Sequence, residues 1–161
     1  MILMEKGHPS HSAALHDLVI RSLPVPFSSR DVFLGIARAA VNHVEDIYAD
    51  DLAFEIIGSV RAGVFFSDWV RRSAMVSRSR WGTVGNSVAV AFALGNMARH
   101  GIAPEDGAQE RAEEFAKRGR LKNLSWLVRA YESLPKTNDA GRIEEALRAI
   151  LIAIQNEGIG H

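Results

Sequence analysis

The 161-residue chain contains no cysteine, which excludes disulfides, thiolate zinc sites and cysteine nucleophiles and fits a reducing compartment. Strand signals are equally scarce, because no alternating run is bounded by an Asn-Gly or Asp-Gly turn. The longest apolar run, Val88 to Leu94, is too short to span a bilayer and reads as a buried helix. Met1 to Lys6 lack the basic region and long apolar core of a signal peptide, so neither secretion nor a membrane partner is expected. There is no excess of charge either: 19 basic residues face 19 acidic ones. Zero net charge gives no global pull toward nucleic acid or membrane, and it weakens the self-repulsion that keeps chains apart.

Catalytic patterns are missing too. Gly58, Gly63, Gly82 and Gly85 are scattered and lack the Lys-Ser/Thr that completes a phosphate loop. No serine sits in a nucleophile elbow. The six histidines (His8, His11, His16, His43, His100 and His161) include no helical zinc-binding pair with an intervening Glu. No enzyme activity, cofactor, metal or small-molecule substrate is therefore expected.

What is present is helical periodicity. A hydrophobic fraction of 47% with 24% charged residues suits one globular domain over residues 1–161. A first helix is expected over 10–22, ended by Pro24 and Pro26. A second starts at Ser28 or Ser29, where Ser28 and Asp31 resemble a capping box, and carries Phe33, Ile36, Ala37, Ala40 and Val44. A third starts near Asp50, and Ser67-Asp68 is read as the cap of a short fourth. Residues 73–85, polar and basic, are read as a flexible loop. The fifth, roughly 86–100, is apolar on nearly every side and is expected to be central, with Gly101 closing it in the left-handed conformation. Pro104 is placed in the first turn of a sixth helix, which stops at Gly119. A seventh carries Leu121, Leu124, Leu127 and Tyr131, and an eighth carries Ile143, Leu147, Ile150 and Ile154. The expected fold is all-α, with about 7–8 paired antiparallel helices, either repeat-like or a compact orthogonal bundle. Ala91, Leu94 and Met97 precede Leu124, Leu127 and Ala130 by 33 positions each, a period typical of helix-turn-helix arrays, although any two amphipathic helices align this way.

Charge is segregated along the chain. Glu45, Asp46, Asp50, Asp51 and Glu55 form an acidic stretch with no base between Arg38 and Arg61. With His43 it is a candidate for a hard cation, but the favoured reading is a solvated helix junction capped by Asp50. Residues 61–100 hold Arg61, Arg71, Arg72, Arg78, Arg80 and Arg99 against Asp68 alone. Residues 117–130 hold Lys117, Arg118, Arg120, Lys122 and Arg129 with no acid. Arginine forks suit phosphate oxygens, and Trp69, Trp81 and Trp126 lie within or beside these patches. Trp81, in a polar segment, is expected to be exposed or in contact with a partner; Trp126, beside Leu127, is expected in the core.

Four segments resemble known families. Ala140 to Leu147, followed by Gln155 to Ile159, is similar to the second half of a pentatricopeptide repeat, and Met97 to Glu105 to the end of another. Leu121 to Ala130 resembles the first helix of octotricopeptide-like repeats. The resemblance covers roughly residues 86–159 and implies organellar single-stranded RNA binding or a structural place in a mitochondrial ribosome. Leu52 to Val60 faintly echoes the ribonuclease III signature helix, but Ala53 and Ser59 stand where metal-holding acids belong.

The leading expectation is a non-enzymatic helical protein that contacts ribosomal or other RNA, in the mitochondrion or otherwise the cytoplasm, beside neighbouring protein subunits. Arg71, Arg72, Arg78, Arg80, Lys117, Arg118, Arg120 and Lys122 would neutralise phosphates, with Trp81 beside them. The alternative is a protein–protein adaptor, and geometry discriminates: one continuous basic face favours RNA, whereas arginines spent on resident acids favour the adaptor. An enzyme would need His43, Asp46 and Asp50 converging in a pocket.

Overall fold

The computed structural model describes residues 26–136 and 139–159. The helix expected over 10–22 lies outside them. Among the described residues the chain is all-helical. A 3-10 turn, Phe27–Ser29, leads into α1 (Arg30–Ile57), α2 (Ser59–Ser73), α3 (Arg80–Arg99), α4 (Ala108–Arg118), α5 (Leu124–Glu132) and α6 (Ala140–Ile159).

The acidic stretch does not divide two helices. α1 runs for 28 residues straight through it, because neither Gly nor Pro interrupts residues 36–57. The chain breaks only at Gly58, which adopts φ +80°, ψ 159°, a conformation open to glycine. Ser29 caps α1 without a side-chain hydrogen bond. Ser67 and Asp68 do not cap a separate helix. They lie inside α2, whose buried face is Ala62, Gly63, Phe66, Ser67 and Val70.

α3 is the central helix, buried on nearly every side from Thr83 to Arg99. It begins earlier than its apolar run suggests. Ser79 caps it by accepting the Gly82 N–H at 3.0 Å, so the non-helical segment is 74–79. α1, α2, α5 and α6 all pack on α3, the α3–α5 contact being the most extensive. That closeness rests on Gly95: a Cβ there would stand 2.6 Å from the Tyr131 Cβ and 2.7 Å from the Val128 carbonyl. Gly101, at φ +68°, terminates α3 as expected.

Pro104 does not open the next helix. Tertiary bonds hold its neighbours outside α4: the Glu105 N–H donates to Ser67 Oγ at 2.9 Å, and Arg71 binds both the Glu105 carboxylate and the Asp106 carbonyl. α4 starts instead after Gly107, at φ +85°, whose N–H donates to Glu110 at 2.9 Å. The two helix pairs read as a repeat have inverted lengths, 20 and 11 residues against 9 and 20.

Candidate nucleic-acid interface

The basic residues divide into two groups according to what they touch. The first group is paired with resident acids. Arg80 Nε donates to the Glu157 carbonyl at 2.9 Å, Nη1 to the Gly119 carbonyl at 2.6 Å and Nη2 to Glu157 Oε1 at 2.7 Å. The Glu157 side chain is 1% exposed. Its carboxylate also accepts the N–H groups of Lys122 and Asn123, at 2.9 Å and 2.6 Å. Asn123 makes no side-chain cap for α5, so Glu157 caps that helix from across the fold, where a negative charge suits the helix dipole. The pair thus fastens the start of α3, the 119–123 turn and the end of α6 together.

Arg99 is the second internal arginine. Its side chain is 2% exposed. It binds Asp51 and donates to the Leu134 and Pro135 carbonyls at 3.0 Å and 3.1 Å. The Tyr48 ring lies 5.4 Å from its guanidinium, and the Tyr48 hydroxyl donates to the same Pro135 carbonyl at 2.9 Å. Burial pushes that hydroxyl up to about 12. Arg71 pairs with Glu105 at 3.1 Å, and Arg72 with Asp68 at 3.0 Å.

The acidic stretch is thus not a junction between helices: it lies within α1, and two of its carboxylates bind side chains of α3. Asp51 serves Arg99 and stands 2.8 Å from His100 Nε2. His100 itself stacks on Phe54 at 3.9 Å. Asp50 accepts from Asn96 at 2.7 Å. Burial raises the Asp50 carboxyl to about 6 against the opposing Asn96 bond, with Asp46 and Asp51 adding to the rise. His43 lies against Phe92, stacked at 4.2 Å. Burial holds its pKa below the ordinary value despite Asp46 at 3.6 Å. Among the described residues no three His, Asp or Glu side chains form a metal-binding group.

The second group of cations faces outward. Arg78, Lys117, Arg118, Arg120 and Lys122 are all exposed. Arg118 approaches Glu114 only at 3.7 Å, with both side chains more than half exposed. The fold brings their two segments together. Ala74, Met75 and Val76 share a groove with Phe115 and Arg118 of α4, and Arg80 binds the Gly119 carbonyl. Arg78 lies in the chain between these contacts. Arg78 and the cations from Lys117 to Lys122 are thus carried by two segments that meet near the C-terminal end of α4. Arg120, at φ +50°, makes the turn there.

The tryptophans exchange the places expected of them. Trp81 sits in the first turn of α3, half-buried, with its ring edge-on to Phe33 at 6.0 Å and packed against Gly158. It is not a free stacking surface. Trp126 is 53% exposed, because Leu124, Leu127, Ala130 and Tyr131 form the buried face of α5 and leave it to one side.

Among the described residues no helix is long and apolar enough to cross a membrane. No known protein family, curated protein or solved structure matches this chain.

Proposed function

We propose that this chain is a non-enzymatic helical subunit of an RNA–protein assembly that grips RNA phosphates at the edge formed by Arg78, Lys117, Arg118, Arg120 and Lys122. The observation that carries this reading is that five exposed cations lie on two segments the fold brings into contact, with Glu114 in loose contact with Arg118. Exposed cations of this kind bind phosphate by counterion release, which positions RNA without reading sequence. Arg71 and Arg80 drop out of the contact set because Glu105 and Glu157 already hold them, and Arg72 is set aside because Asp68 answers its charge at the surface. Placement in a mitochondrial ribosome belongs to the same proposal and is supported by the repeat resemblance alone. The test is fluorescence anisotropy of a labelled mixed-sequence single-stranded RNA. Micromolar or tighter binding is expected at low salt, and loss of about tenfold or more in Arg118→Glu with Arg120→Glu. Equal binding by wild type and variant would overturn the reading.

A second reading, protein–protein contact by self-association rather than through an adaptor's foreign partner, is favoured by an apolar ridge along the end of α1 and the outer face of α2. Ile56 is 75% and Val60 82% exposed, and Ile57, Val64 and Phe65 are exposed beside them. Arg61, Val64, Phe65 and Asp68 follow i, i+3, i+4, i+7 spacing on one face. Two such helices packed antiparallel about Val64 and Phe65 set Arg61 of each opposite Asp68 of the other. The occupant this pattern fits is a second copy of the chain. Sedimentation equilibrium should show a concentration-dependent dimer that Val64→Asp abolishes. Arg61→Glu should weaken it, and adding Asp68→Arg should restore it. A monomer at every concentration would remove this reading.

A further inference from the structure

Trp126 stands between two grooves that run along the seam of α5 and α6. One, of about 380 Å³, is bounded by Arg129 and Arg142; the other, of about 370 Å³, by Asn123, Arg148 and Asn156. The indole is a wall of both. Beside it the floor is made of small residues, Ala130, Ala146, Ala149 and Ala153, which leave space next to the ring that larger side chains would fill. An aromatic face beside an alanine-lined groove leaves room for a planar ring.

The charges around this slot are of a particular kind. Arg129 lies one helical turn beyond Trp126 on α5, and Arg142 faces it from the first turn of α6. Among the described residues neither is held by an ion pair, whereas Arg148 is paired with Glu144 at 3.0 Å. Glu145 borders both grooves and offers an acceptor for the exocyclic amino group of a base. The Asn123 and Asn156 amides add a donor and an acceptor each. The slot also joins the cationic edge directly, since Lys122 and Asn123 are the two residues that lead into α5.

We propose that the α5–α6 seam is a base-stacking site for single-stranded RNA, with Trp126 as the platform and Arg129 and Arg142 holding the flanking phosphates. The site rests on the RNA reading of the adjoining edge and extends it from phosphate contact to base contact. Aromatic stacking tolerates every base, so selectivity is weak and comes from Glu145, which disfavours bases that show it acceptors alone.

The test uses the same labelled single-stranded RNA and adds its double-stranded counterpart. Trp126→Ala should weaken single-strand binding by roughly 5- to 100-fold, and Trp126→Phe should retain most of it. The salt dependence of Trp126→Ala should match that of wild type, because stacking releases no counterions, whereas Arg129→Ala with Arg142→Ala should flatten it. The duplex, whose bases are already stacked, should bind Trp126→Ala and wild type alike. Trp126 is exposed and touches the core little, so circular dichroism should show both variants folded. Wild-type affinity in Trp126→Ala, with binding still lost in Arg118→Glu with Arg120→Glu, would overturn the stacking site while leaving the edge intact. Absence of RNA binding by the wild type would overturn both.

Discussion

Glu157→Ala is expected to lower the free energy of unfolding by about 3–5 kcal/mol, the cost of breaking a buried ion pair by removing one partner. The loss exceeds that of an ordinary surface pair because three donors depend on one carboxylate: the Arg80 guanidinium and the N–H groups of Lys122 and Asn123. Removing it leaves a partly buried cation without its counter-charge and strips α5 of its cap. Glu157→Gln separates shape from charge. The amide keeps one acceptor but turns its NH2 toward a donor, so it should recover only part of the loss. Chemical denaturation measures both. A Glu157→Ala, Arg80→Ala double variant should be less destabilised than the sum of the singles, since the second change removes the orphaned charge. Strict additivity would show that the two residues do not act as a pair.

Arg99→Ala should cost about as much, again about 3–5 kcal/mol. Its fork reaches three acceptors on two separate elements, Asp51 on α1 and the Leu134 and Pro135 carbonyls after α5. Those carbonyls are buried with it; Pro135 keeps the Tyr48 hydroxyl, whereas the Leu134 carbonyl loses its side-chain donor. Arg99→Lys should recover little, because a single ammonium cannot meet acceptors spread over a planar fork. Asp51→Asn should be milder, as the Asp51 side chain is 29% exposed and water can share its role. Equal stability of Arg99→Lys and wild type would mean that charge alone, not the fork, matters there.

Much of the fold was legible because it depends on local chemistry. The apolar run of Val88 to Leu94 marks α3 as central, and Gly101 marks its end. The errors come from interactions that join distant parts of the chain. Asp50 and Asp51 have the composition of a helix junction, yet their partners Asn96 and Arg99 lie on α3 and keep them inside one long helix. Pro104 has the position of a helix start, yet Ser67 and Arg71 hold Glu105 and Asp106 away from α4.

For the same reason the sequence lists the basic residues without showing what each one touches. Composition cannot separate Arg80, which is buried against Glu157, from Arg118, which is exposed. One signal was present, however. Ile150, Ile154 and Glu157 follow i, i+4, i+7 spacing, so Glu157 sits in register with the apolar stripe of α6. A carboxylate there needs a buried partner. Trp126 carried a comparable signal: Leu124, Leu127 and Tyr131 define the buried stripe of α5, and Trp126 falls off it.

The central claim is that outward-facing cations at one edge, rather than the whole basic complement, hold RNA. Its most direct test is the slope of log affinity against log salt concentration for single-stranded RNA. The five edge contacts predict a slope of about −3.5, at roughly −0.7 per contact, steepened to about −4.9 where Arg129 and Arg142 also hold phosphates, and Arg118→Glu with Arg120→Glu should reduce its magnitude by about 1.4 or more. Arg72→Ala, which removes a cation already paired with Asp68, should leave the slope unchanged. A slope that is near zero, or that falls as much in Arg72→Ala as in the edge variant, would contradict the account.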